Sequence, residues 1–177
     1  VLFRSILQGN QYMDATTYTG NGTTQTITNS GSMQPDLVWI KLRSGAASHH
    51  LVDSVRGVGL SLYSNLTNAE GSEPNGITSF NSNGFGLGTD TNYNGNGNTY
   101  VGWQWKANGT PAVTNTAGSI TSTVSANTTS GFSVVTWAGN SSSSATVGHG
   151  LGVAPSMIIV KNRTSGSTYW STYHKSL

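Results

Sequence analysis

The chain predicts an all-β fold: a jelly-roll-like or lectin-like antiparallel β-sandwich, arranged as a tandem repeat with an incomplete second copy. Three observations carry that expectation. Short runs rich in Val, Ile, Thr and aromatic residues recur between clusters of Gly, Asn and Ser, the pattern of strands separated by turns. Helical periodicity is scarce. One order of motifs also occurs twice. Tyr18-Thr19-Gly20-Asn21 is followed by a polar stretch, Pro35, an apolar run, Lys41 and Arg43. Trp137-Ala138-Gly139-Asn140 is followed by a polar stretch, Pro155, an apolar run, Lys161 and Arg163. Pro35 and Pro155 lie 120 positions apart, as do Lys41 and Lys161, and Arg43 and Arg163. Self-similarity at a fixed period marks an array of structural units.

The clearest strands are Leu37–Leu42, 101–106, Phe132–Trp137 and 157–161. Alternation within Trp103-Gln104-Trp105-Lys106 puts both Trp on one face and Gln104 and Lys106 on the other. The runs 37–40 and 157–160 are almost continuously apolar, which suits strands covered on both sides. Residues 84–88, Gly-Phe-Gly-Leu-Gly, read as a short strand with small residues where another backbone passes close. Residues 89–98 carry Asn94-Gly95 and Asn96-Gly97 and no aliphatic residue, so an exposed turn or loop is expected. A short helical turn is expected only at 58–62 and 65–70. The chain then divides into a first sandwich unit at 1–107, a polar linker at 108–118 and an incomplete second unit at 119–177. The latter part of 108–129 suits the first strand of that second unit. Half a sandwich exposes strand edges and an apolar face. Completion is therefore expected from chain beyond Leu177 or from a neighbouring subunit.

Composition narrows the function classes. Only 8% of residues are charged and 34% hydrophobic, a balance that permits disorder. Five Trp, seven Tyr and four Phe in short patterned runs argue for a packed fold instead. The net charge is +2 with no run of Lys or Arg, which speaks against nucleic-acid binding through clustered phosphate contacts. No stretch approaches the ~20 apolar residues of a membrane-spanning helix, so no membrane insertion is expected. Residues 1–7 are too short, and too interrupted by Arg4, for a signal peptide. The absence of Cys excludes disulfides and thiolate metal sites and leaves the compartment open.

The residues argue for binding over catalysis. No Gly-x-Ser-x-Gly elbow is present, and the six carboxylates offer no evident facing pair for glycoside hydrolysis. His49 and His50 with Asp53 invite a metal reading, yet adjacent strand residues point to opposite faces and a zinc site needs three or four convergent ligands. Neither a metal nor a cofactor is expected. Lys41 with Arg43, and Lys161 with Arg163, sit at alternate positions and hence on one face. They form either a cationic strip for an anionic glycan or structural pairs, with Asp53 or a chain-terminal carboxylate, that orient the following loop. Recurrence in both copies favours structure, and Asp53 and His174 belong to the same repeated motif. Trp103, Trp105 and Tyr100 offer an aromatic platform for sugars or serve as core. The better ligand candidate is the 90–97 loop, where Tyr93 stands among Asp90, Asn92, Asn94 and Asn96 without an obvious packing role.

The motifs taken together resemble a repeat domain found in tail-fibre-like and other structural proteins of marine phages, including phages of cyanobacteria. The resemblance lies in His149-Gly-Leu-Gly-Val-Ala-Pro155, Lys161-Asn-Arg163, Trp170-Ser-Thr-Tyr-His174-Lys-Ser176, Asp53-Ser-Val-Arg56-Gly57, residues 84–88, and residues 100–106. It covers most of the chain. The first copy has Asn29-Ser-Gly-Ser-Met-Gln-Pro35 in place of the His-Gly-Leu form, and the second has Ser156 in place of Asp36. The resemblance implies a non-enzymatic virion-surface or extracellular protein concerned with attachment to a host envelope, most plausibly its glycan. A homo-oligomer, a trimer by analogy with fibres, or assembly with other virion proteins goes with it. The alternatives are a spacer or capsid-decoration repeat without ligand, and a carbohydrate-binding module of a secreted bacterial protein.

Overall fold

The computed structural model describes residues 8–109 and 111–177, so the readings made for 1–7 lie outside the described residues. The strands are β1 (Met13–Thr19), β2 (Gln25–Thr28), β3 (Leu37–Leu42), β4 (His50–Asp53), β5 (Leu60–Ser61), β6 (Gly71–Ser72), β7 (Ile77–Asn81) and β8 (Gly84–Leu87). A one-turn helix, α1 (Thr91–Asn94), precedes β9 (Thr99–Trp105). Then come β10 (Val113–Asn115), β11 (Ser122–Asn127), β12 (Phe132–Trp137), β13 (Met157–Val160) and β14 (Ser171–His174).

Two antiparallel sheets face each other and make the sandwich. One has the order β1-β9-β3-β4, the other β2-β8-β7. The last strand of the unit, β9, inserts between the first and the third, with Trp103 opposite both Ala15 of β1 and Trp39 of β3. Val38, Ile40, Val52 and Tyr100 from the first sheet meet Ile27, Ile77, Phe85 and Leu87 from the second, with Tyr93 of α1 closing one end. Each such buried side chain contributes about 1.5–3 kcal/mol of transfer free energy. Tyr18 stacks on Tyr100 at 5.1 Å and meets Phe85 edge-on at 6.2 Å.

Close sheet contact explains the glycines of 84–88. At Gly84 φ is +150°, and a Cβ there would overlap the carbonyl of Ile27 on β2. Gly102 of β9 faces the ring of Phe85, where a Cβ would sit 3.0 Å from Cζ.

Several expectations change. The helical turn lies at Thr91–Asn94, inside the segment read as an open loop, while 58–62 contains β5, which pairs with β6 at Gly71–Ser72, and 65–70 is turn and irregular chain. The segment 108–118 is no free linker, because it contains β10, which pairs with β11. It is also tied to the sandwich. Asp36, fully buried, accepts from the N–H groups of Ala107 (2.7 Å) and Gly109 (3.0 Å) and from Ser54 Oγ (2.5 Å) and Ser125 Oγ (3.4 Å). Phe132 of β12 lies against Trp105 at 6.3 Å.

Local geometry recurs at offsets of 119 to 121 positions, around the 120 seen in the sequence. Hairpin β3–β4 pairs Leu37 with Asp53 and Ile40 with His50; hairpin β13–β14 pairs Met157 with His174 and Val160 with Ser171. Ser54 N–H donates to Asp36 at 2.8 Å, and Lys175 N–H donates to Ser156 at 2.9 Å. After the Gly-Asn motifs, Asn21 Oδ1 accepts from Thr23 N–H and Asn140 Oδ1 accepts from Ser142 N–H. The surroundings differ. Strand β3 is central and its Val38 and Ile40 are 0% exposed, whereas β13 pairs with β14 alone. The continuous apolar run 157–160 is therefore not covered on both sides, because no second strand or facing sheet lies on it among the described residues.

Candidate functional site

Alternation on β9 turns Tyr100, Gly102 and Gln104 inward and Val101, Trp103 and Trp105 outward. The expected separation of the Trp pair from Gln104 holds, but the buried face is the one with the amide. Gln104 is 0% exposed and satisfied: its Nε2 donates to Thr16 Oγ1 (2.9 Å) and its Oε1 accepts from Asn29 Nδ2 (3.1 Å). Asn29 also donates to the Met33 carbonyl and accepts from the Met33 N–H, fixing the turn that leads into β3. With these bonds made, the amide enters the core at little cost.

The outward face carries an aromatic cluster. Trp39 on β3 meets Trp103 edge-on at 5.9 Å and Trp105 at 6.5 Å. All three indoles are half-buried. Trp39 Nε1 donates to His49 Nδ1 at 2.9 Å, and that ring stands edge-on to the indole at 5.8 Å. Burial, with Lys41 and His50 nearby, lowers the pKa of His49, which keeps Nδ1 available as the acceptor. Directly opposite Trp103 on β1 stands exposed Ala15, while Met13 of the same face stands opposite Trp105. Tyr100, read as part of such a platform, is instead fully buried on the other face, where its hydroxyl donates to the Thr91 carbonyl and accepts from Gly95 N–H. Trp39 was missed as a member of the face. Its position at the middle of an apolar run reads as core, and only the register with Trp103 places it outside.

The ligand assignment to 90–97 is corrected. Tyr93 and Asn94 are 0% exposed. Asp90 caps α1, its side chain accepting from Asn92 N–H at 2.8 Å, and this turn swings Tyr93 into the core. Asn94 holds three loops together: Oδ1 accepts from Asn21 N–H (3.0 Å) and Gln25 Nε2 (2.7 Å), while Nδ2 donates to the carbonyls of Gly88 (2.8 Å) and Thr23. Only Asn92 and Asn96 of the proposed set remain exposed.

Beneath this end lies a buried polar cluster that the sequence did not signal. Glu73 accepts from Tyr63 OH (2.7 Å), from Tyr93 OH and from His50 Nδ1 (3.1 Å). Burial pushes the Glu73 carboxyl up, but the hydrogen bonds from His50, Tyr93 and Tyr63 outweigh it and hold the pKa at about 2. Burial, and after it the same carboxylate, raises the pKa of both tyrosines. A depressed carboxyl contributes stability that is complete above its unfolded value of about 4.3 and is lost as pH falls toward about 2. The thermal midpoint should therefore fall over that window, and it should fall less in Glu73→Gln. Parallel profiles for the two proteins would show that Glu73 makes no such contribution.

A second network joins the two hairpins' neighbourhoods. Arg56 pairs with Asp53 (2.5 Å) and Glu70 (2.9 Å), and Glu70 also holds Arg163 (2.7 Å). Burial raises the Glu70 pKa, but bonds from Arg163 and Arg56 outweigh this and leave it lowered. The pairing expected between Asp53 and Lys41 or Arg43 is not made. Lys41 Nζ donates to the carbonyls of Leu42 (2.6 Å) and Gly45 (3.4 Å), and Lys161 Nζ to those of Asn162 (2.9 Å) and Ser165 (3.4 Å), the same loop-closing contacts at the same offset. Arg43 is exposed and donates its backbone N–H to Thr99. Asp53 Oδ1 accepts from Val55 N–H and His174 Nδ1 from Ser176 N–H, so both cap the turn after their strand. His49 and His50 lie on opposite faces. Among the described residues no group of three His, Asp or Glu side chains converges as metal ligands would.

An antiparallel β-sandwich with a tryptophan-bearing outer face defines the class. The chain belongs to the family described as Domain of unknown function (DUF7483), whose model matches residues 8–177 in one span. No curated protein and no solved structure matches the chain.

Proposed function

We propose that this protein is a non-enzymatic surface-binding module whose Trp39–Trp103–Trp105 face receives glycan, as part of a virion-surface or tail-fibre-like protein built from repeated units. The observation that carries the reading is the half-exposed triad of indoles on a regular sheet. Apolar sugar faces stack on such rings, and a rigid sheet holds them without the entropic cost of ordering a loop. The acids support the non-enzymatic part. Asp36, Asp53, Glu70 and Glu73 are committed to buried networks, Asp90 caps α1, and Asp14 accepts from the N–H groups of Ala15 and Ser30. The virion context rests on the motif resemblance, and repeated units would combine weak single sites through avidity.

The test is binding of a multivalent sample to a broad bacterial glycan array, with Trp39→Ala and Trp103→Ala compared against the native chain. Each variant should bind at least ~10-fold more weakly, the effect of losing an aromatic anchor worth about 1.4 kcal/mol or more, at a temperature where thermal unfolding shows each variant still folded. Unchanged binding in the double variant would remove the aromatic face from the site. No binding by a folded multivalent sample would favour the ligand-free spacer. Tyr93→Ala is not a suitable probe, because Tyr93 is core.

A further inference from the structure

We propose that the free edge of β13 is a docking site for an antiparallel strand of the β9 kind, supplied by another polypeptide segment of this family. The inference rests on the equivalence of hairpins β3–β4 and β13–β14, which is part of the repeat reading, and not on any glycan. The two hairpins pair four residues in the same order from the strand base, β14 lying one position beyond the 120-residue offset, and share the bond that closes the strand base and the lysine that closes the loop. They differ in what lies beside them. Strand β3 is paired on its second edge by β9 and covered on its inner face by Ile27, Phe85 and Leu87. Among the described residues strand β13 has neither, and Met157, Ile158 and Ile159 are 53%, 43% and 52% exposed. Consecutive strand residues point to opposite faces, so both faces are open as well as the edge.

The acceptor is already ordered. Arg163 is held by Glu70 at 2.7 Å, Lys161 Nζ donates to the Thr67 carbonyl at 3.0 Å, and Trp170 Nε1 donates to the Tyr63 carbonyl at 2.8 Å. Pinning the hairpin against the first unit in this way removes part of the entropy that strand addition costs.

The β3–β9 register states what the partner presents. Opposite Leu37, Val38, Trp39 and Ile40 stand Trp105, Gln104, Trp103 and Gly102. Carried to the same positions of β13, this places an aromatic residue opposite Met157 and Ile159, a polar one opposite Ile158 and a small one opposite Val160. The chain's own β9 is paired on both edges, by β1 and β3, so the donor is a different segment. Pairing two β13 edges from two copies would set Met and Ile against each other and leave both apolar faces uncovered, which disfavours a second copy. Arg43 N–H donates to Thr99 O, and alternation along the pair turns Trp39 N–H to that edge as well. Its counterpart on β13 is Ile159.

The experiment titrates a labelled peptide with the sequence of residues 97–107 into the full chain, with amide exchange read along 157–161. Saturable binding with slowed exchange at Met157 and Ile159, absent for a scrambled peptide, is expected. Ile159→Pro and Ile158→Lys should each weaken binding at least ~10-fold, the first by removing an edge donor and the second by spoiling the apolar face. Exchange at Ser171 and Tyr173, whose N–H groups face β13, reports whether the hairpin stays formed in each variant. Absence of saturable binding, or protection elsewhere in the chain, overturns the proposal. So does concentration-dependent self-association that protects β13 without peptide, which would make a second copy the occupant. No glycan enters the measurement, so its failure is separate from failure of the glycan reading.

Discussion

Replacing Glu73 by Ala should lower the unfolding free energy by about 3 kcal/mol or more, since each of its donors left unsatisfied costs about 1–3 kcal/mol, measured by urea denaturation. Three donors converge on this carboxylate from three places: His50 on β4, Tyr63 after β5 and Tyr93 on α1. Alanine leaves two hydroxyls and an imidazole without their acceptor in the interior, and each orphaned donor adds its own desolvation cost. Tyr63→Phe removes one donor and leaves the acceptor served by two others, so its effect should be about 1 kcal/mol. A Glu73→Ala loss no larger than that of Tyr63→Phe would mean that the cluster does not hold the turn, β4 and α1 together. The rings around it add cohesion of another kind, with His50 4.5 Å from Tyr93 and 5.3 Å from Tyr63.

Asp36→Ala should cost about 3 kcal/mol or more and loosen β10–β12 from the sandwich. Hydrogen bonds to a charged acceptor are worth about 1.5–3 kcal/mol each, and Asp36 accepts from backbone N–H groups on both Ala107 and Gly109. Those amides are the first link between β9 and the sheet that follows it. Native-state exchange should therefore quicken at Ala107 and Gly109 before it quickens in the core. Asp36→Ser is the informative companion, because Ser156 occupies the same place before β13. If Asp36→Ser matches the native chain in both stability and exchange, the carboxylate is not the tie between the two sheets.

Much of the fold was legible because strand signals are local. Leu37–Leu42 and Phe132–Trp137 form as read, and β9 and β13 fall within two residues of expectation. The small residues of 84–88 forecast the close passage of β2 beside β8. Alternation also separated Trp103 and Trp105 from Gln104. It divides a strand into two faces and does not say which face is inside. That choice depends on Asn29 and Thr16, which satisfy Gln104 from 75 and 88 positions away.

The site was less legible for the same reason. Residues 89–98 have the composition of an exposed turn, and the turn forms, but Tyr93 is buried because Glu73, twenty positions earlier, waits for its hydroxyl. Likewise Arg163 finds Glu70 across 93 positions, where the sequence offered Asp53 or a chain-terminal carboxylate. By itself the sequence determined the strands, the alternation of their faces and the 120-residue recurrence of Pro, Lys and Arg, since these arise from backbone geometry over a few residues. Only the tertiary structure decided which face became core, which acids became buried ties and which of two like hairpins stayed open. Those outcomes depend on partners brought together from distant segments, and a buried polar group is tolerated only where such a partner arrives.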